Sequence, residues 1–148
     1  MDRKQFEGMN ETLKGIVERG AFCAPNMKKR SMTADFVLHK EAPEVLSELL
    51  GVPEAELKLI EGRLNFRKKL FETLGNNYTG RKIARLLEDE IRWELGRRCV
   101  VYEPENAQEV CEALSGFSGG KGPFYIVEEV FLAQFDEVTA VFYVGNDE

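Results

Sequence analysis

The chain has 148 residues, 43% of them hydrophobic and 31% charged, and a net charge of −6. That length lets a globular chain bury roughly 70% of its unfolded surface, and the balance of apolar and charged residues excludes a disordered or fibrous polypeptide. No apolar run approaches the ~20 residues of a membrane span and none near the start reads as a leader, so a cytoplasmic protein is expected.

In chain order, Phe6, Met9, Leu13, Ile16 and Val17 recur at spacings of three and four and predict a first helix that Gly20 stops. Residues 21–40 read as irregular, with the basic run Lys28, Lys29, Arg30 and a short extended piece at Phe36, Val37 and Leu38. Pro43 opens a second helix that carries Val45, Leu46, Leu49 and Leu50 to Gly51. Leu57, Ile60, Leu64, Arg67, Phe71 and Leu74 then alternate spacings of three and four, which predicts a single helix over 54–74. In such a helix Gly62→Ala stabilises, since an interior glycine costs about 1 kcal/mol. Thr79 is placed to cap the next helix, with Ile83, Leu86, Leu87, Ile91 and Leu95 before the stop at Gly96.

The period changes after that. Cys99, Val100, Val101 and Tyr102 read as a buried strand, and Ala107, Val110, Cys111 and Leu114 as one face of a short helix. Residues 124–135 and 138–144 are rich in Val, Ile, Phe and Tyr and predict a β-hairpin. Asp136-Glu137 is not a favoured two-residue turn, so its loop is expected to be longer. The fold class is α+β: a helical part, 1–98, packed on a small antiparallel sheet carried by a β-α-β-β part, 99–148, as one compact domain. Phe124, Ile126, Val130 and Leu132 line one face of the first hairpin strand, and Tyr125, Val127, Phe131 and Phe135 the other. With one face covered by the helical part, the other face, or the free strand edge, is expected to pair with a second copy or a protein partner, a homodimer being simplest.

Candidate chemistry is sparse. Cys23, Cys99 and Cys111 are far apart, and His39 is the single histidine, so the chain offers no tight ligand spacing for a metal. The glycine-rich stretch 115–123 invites comparison with a phosphate-binding loop. Ser115 and Gly122 stand where that motif requires a glycine and a hydroxyl, and the stretch follows a helix and precedes a strand. It reads as a hinge, and no cofactor is implied. No nucleophile–base pair is visible, which leans away from an enzyme.

Charge is uneven: net +3 over residues 1–98 and −9 over 99–148. Residues 45–63, VLSELLGVPEAELKLIEGR, resemble the helix-turn-helix of phage-repressor-type regulators at Leu46, Leu50, Gly51, Val52, Leu57, Ile60 and Glu61. The resemblance implies a recognition helix, but its opening, Pro53, Glu54, Ala55 and Glu56, is acidic where phosphates would lie. A second route to nucleic acid is the stretch 63–98, net +5, with Arg63, Arg67, Lys68, Lys69, Arg81, Lys82 and Arg85, followed by Arg92, Arg97 and Arg98. On a helical wheel Glu90 and Glu94 fall inside the apolar arc that includes Leu86 and Trp93. Buried carboxylates need a partner, such as Arg67; otherwise the two stand at a groove edge where both reach water, or they line with Trp93 an acidic pocket for a small ligand. Glu128-Glu129, inside a predicted strand, is expected to mark a bulge. The leading expectation is an accessory or regulatory protein acting through protein–protein interaction; nucleic-acid binding and a small-ligand sensor are the alternatives.

Overall fold

Five strands make one antiparallel sheet, in the order β1-β5-β4-β3-β2. They are β1 (Ser31–Leu38), β2 (Leu59–Glu61), β3 (Val100–Pro104), β4 (Tyr125–Gln134) and β5 (Val138–Asp147). Five α-helices surround them: α1 (Arg3–Phe22), α2 (Ala42–Leu50), α3 (Phe66–Leu74), α4 (Tyr78–Leu95) and α5 (Ala107–Leu114). The structure, a computed structural model, describes residues 1–115 and 125–147. The fold is α+β, as its patterning predicts. The glycine-rich stretch beyond Ser115 lies outside the described residues. No helix among the described residues is long and apolar enough to cross a membrane.

The sheet has helices on both faces. On one, α1, α3 and α4 bring Leu13, Val17, Phe66, Leu70, Leu87 and Ile91 against Phe131 and Phe142, whose rings stack at 4.8 Å. On the other, α2 and α5 bring Val45, Leu46, Val110 and Leu114 against Val130, Leu132, Val141 and Tyr143. This corrects the expectation of an open hairpin face. The β4–β5 pair is central, and both its faces are covered by its own chain, because α2 and α5 together form the layer that the sequence reading had left empty. The hairpin loop is three residues, 135–137, closed by the Phe135 N–H donating to the Val138 carbonyl at 2.9 Å.

Both sheet edges discourage strand addition. β2 has only three residues and ends on exposed Glu61. Along β1, Asp35 pairs with Lys14 of α1 at 3.2 Å, and the Thr33 hydroxyl donates to Glu18 at 2.8 Å. The bulge in β4 is present: pairing with β5 shifts register between Val127 and Glu129. Arg30 reaches both carboxylates there, at 3.1 Å from Glu128 and 2.6 Å from Glu129.

The single helix over 54–74 does not form. Residues 54–56 make a 3-10 turn, 59–61 pair with β3, and the helix starts only at Phe66. Leu57 and Leu59 are half-buried under the α2–α5 layer, while Ile60 is exposed. Gly62 donates to the Val101 carbonyl at 2.8 Å, and a Cβ on it would lie 3.2 Å from Glu103 Oε2 and 3.4 Å from Val101 Cγ1. The expected gain from Gly62→Ala therefore disappears. The helix-turn-helix goes with it, since no second helix follows Gly51 before Phe66.

Candidate functional site

The α3–α4 hairpin carries Arg67, Lys68, Lys69, Arg81, Lys82, Arg85 and Arg92. Two asparagine caps set it: the Asn65 side chain accepts from the Lys68 N–H at 2.9 Å, and that of Asn77 from the Gly80 N–H at 2.8 Å. The cap of α4 is therefore Asn77 rather than Thr79. α4 buries Gly80, Ala84, Leu87, Glu88, Ile91 and Leu95. Glu90, Glu94 and Trp93 all lie on the solvent side, which corrects the expectation that Glu90 or Glu94 is buried. The buried arc centres on Ala84, Leu87 and Ile91, and Leu86 and Trp93 lie outside it.

The buried carboxylate is Glu88, 2% exposed. Arg67 Nε donates to it at 2.7 Å and Arg92 Nε at 3.0 Å. Arg67 is thus the expected arginine, serving a different glutamate. Arg92 also lies 5.8 Å from the Phe66 ring and donates to the Arg97 carbonyl. Arg81 and Arg85 sit 5.3 and 5.7 Å from the Phe71 ring, and Arg81 donates to Asn76 at 2.7 Å. Lys69 is not available to any ligand: it is buried, pairing with Glu103 at 2.5 Å and Glu72 at 3.2 Å. Burial alone would lower its pKa, but the hydrogen bonds to Glu103 and Glu72 outweigh that and hold the ammonium above its usual value. The link therefore contributes fully below the unfolded-state pKa of 10.5 and weakens only as pH rises through the folded value. Arg63, Lys68 and Lys82 are exposed.

One row of α4 faces open solvent: Tyr78 (82% exposed), Lys82, Leu86 (60%), Asp89 and Trp93 (87%). Their spacings of four, four, three and four keep them on one side of the helix. Two open grooves run beside this row. One, of about 820 Å³, lies between Arg67, Arg92, Trp93 and Arg97 and includes the carboxylates of Glu88 and Asp89. The other, of about 680 Å³, is lined by Tyr78, Arg81, Lys82, Arg85 and Leu86 with two asparagines, and by no acidic residue. Neither groove is lined by Glu90 or Glu94. The pocket foreseen around those glutamates and Trp93 is replaced by one in which Trp93 stands with Glu88 and Asp89. Tyr78 was the residue missed, and its signal was its place one step inside the Asn77 cap on the same row as Trp93.

The thiols are unequal. Cys23 is exposed, and Cys99 lies beneath the Glu88 cluster. Burial pushes the Cys99 pKa up to about 12 against a smaller pull from Arg92, and burial also raises Cys111. Between about pH 9 and 12 the unfolded chain loses the Cys99 proton and the folded one keeps it, so stability falls as pH rises across that window. In the native protein at pH 8, Cys23 is expected to be alkylated first and Cys99 and Cys111 only on unfolding. Mass spectrometry of peptides after timed iodoacetamide treatment checks this; equal labelling of Cys99 and Cys23 would contradict it.

Among the described residues no group of three or more His, Cys, Asp and Glu side chains is arranged to hold a metal ion. The chain matches no protein-family model, no curated protein and no solved structure.

Proposed function

We propose that the chain is an accessory or regulatory protein that works by binding a protein partner, and that it docks through the outward face of α4. The observation that carries this is the row of Tyr78, Leu86 and Trp93 standing in solvent on one helix face. Isolated apolar residues on a surface need no explanation, but a tryptophan, a tyrosine and a leucine aligned on one helix face, with Lys82 and Asp89 between them, are three large apolar side chains in a single row. Trp, Tyr and Arg are also the residue types that dominate binding energy at interfaces. The covered β4–β5 hairpin and the guarded sheet edges offer no comparable surface. The three free cysteines suit a reducing compartment, which supports the reading of a cytoplasmic protein.

With the wild-type protein as bait in extract from its source cells, Leu86→Glu and Trp93→Ala baits are expected to lose the proteins that the wild type retains. Truncating one such anchor weakens binding by about 30-fold, equivalent to ~2 kcal/mol. Both variants should keep the wild-type urea midpoint, since exposed positions change stability by only about ±0.5 kcal/mol. Retention unchanged by either variant would refute the docking face.

Nucleic acid is the second reading, favoured by the groove in which Arg81, Lys82 and Arg85 sit beside Tyr78 with no acid among them. It falls behind because Lys69 is buried, Glu88 engages both Arg67 and Arg92 and offsets one of their two charges, and Asp89, Glu90 and Glu94 share the helix surface. Anisotropy of a labelled single-stranded oligonucleotide separates the two: binding that falls steeply with salt and needs Arg81 and Arg85 would promote it.

A further inference from the structure

We infer that the occupant of the outward face of α4 is a second copy of the same chain, its α4 packed antiparallel to the first about a two-fold axis beside Leu86. The inference rests on the docking reading above and names the partner.

Three observations carry it. First, the row is self-complementary when reversed. Tyr78 and Trp93 are equidistant from the Arg85–Leu86 peptide bond, and so are Lys82 and Asp89. A copy running the other way therefore sets Trp93 opposite Tyr78 and Lys82 opposite Asp89 on both sides of the axis, with the two Leu86 residues flanking it. An isologous interface demands this, because each residue must meet its partner twice. A parallel copy would instead set like residues opposite each other, lysine on lysine.

Second, the charges on the exposed surface of α4 are sorted by position: Arg81, Lys82 and Arg85 in the first half, Asp89, Glu90 and Glu94 in the second. Arg92 in the second half is turned inward and spent on Glu88. Reversal brings Lys82, in the basic half of one helix, over Asp89, in the acidic half of the other. Arg85 does not block Leu86, since its guanidinium lies over Phe71 of α3.

Third, that sorting runs against the helix itself. A helix is stabilised by acids near its N-terminus and bases near its C-terminus. α4 has no acidic residue in its first turn, and its acids gather toward the end. Its internal stability does not account for the order of charges, and an intermolecular pairing does.

Trp93 is the only tryptophan, so its fluorescence reports on this face alone. Sedimentation velocity over micromolar concentrations is run alongside Trp93 emission and iodide quenching. A monomer–dimer equilibrium is expected, with emission moving to shorter wavelength and quenching falling as dimer forms. Lys82→Asp and Asp89→Lys should each weaken the dimer by about tenfold or more, and the combined K82D/D89K variant should restore it, because the swap re-forms both pairs. A monomer at every concentration with Trp93 accessible overturns the inference, as does a dimer indifferent to K82D and to Leu86→Glu. If the monomer still retains cellular proteins in a Leu86-dependent manner, the second-copy inference alone falls. If that retention is also indifferent to Leu86, the docking reading falls too.

Discussion

Gly80→Ala is expected to destabilise the protein by about 3 kcal/mol, the upper end of what overpacking ordinarily costs. A Cβ on Gly80 would lie 2.0 Å from the carbonyl oxygen of Gly75 and 2.5 Å from its carbon. Both atoms are backbone, so the first turn of α4 would have to lift away from the α3–α4 connection. The lift would also strain the Asn77 cap, which is made to the N–H of Gly80 itself. Gly8 supplies the contrast. It sits inside α1 with nothing within 4 Å of its Cβ position, and Gly8→Ala is expected to stabilise by about 0.5–1 kcal/mol. Urea denaturation of the two variants beside the wild type checks the opposite signs; a Gly80→Ala midpoint at or above that of the wild type would refute the close approach.

The second large effect is at Glu88. Replacing Arg67 and Arg92 together by methionine leaves a carboxylate that is 2% exposed without its two guanidinium partners. Stranding a buried charge in this way costs about 3–5 kcal/mol. Adding Glu88→Met to that double variant should recover most of the loss, because an apolar side chain of similar size suits the same space. Urea midpoints of the double and triple variants decide it. A triple variant no more stable than the double would mean that the Glu88 charge is not the source of the loss.

Much of this architecture was legible. Periodicity located α1, α2 and α5, the hairpin and the register break at Glu128-Glu129. The misses have physical causes. β1 was reduced to its last three residues, although Met32, Ala34 and Phe36 alternate with Thr33 and Asp35 and all three of the former are buried. Alanine carries little weight as an apolar signal, so the alternation did not register. Over 54–74 a strand and a helix lie end to end, and Leu57, Ile60 and Leu64 matched a helical spacing by coincidence. The deciding residues were Asn65, a cap, and Gly62, held close to β3 by its N–H. On α4 the buried face is marked by Gly80 and Ala84, the small residues that allow close approach, whereas Leu86 and Trp93 belong to the outside. Large apolar side chains were taken as core, and the same two residues became the main feature of the docking face. No part of the sequence reading joined Tyr78 to them, because that requires knowing which side of α4 is turned to solvent.

The sheet order also dictates when the chain can fold. β1 lies beside β5, and their paired residues, from Ser31 with Gly145 to Leu38 with Val138, are a hundred residues or more apart. At ribosomal speed β1 waits roughly 5 to 20 s for its neighbour to be made. β5 is also the strand that both hydrophobic layers share, giving Phe142 and Val144 to one and Val141 and Tyr143 to the other. Until it arrives, α1 and α4 have apolar stripes and no completed sheet to lie on, and the nascent polypeptide presents them to whatever is near. Such non-local closure makes for slow folding and a long exposure to aggregation. Residues 1–98, which include β1 and β2, therefore cannot complete their share of the sheet until the last strand has been made.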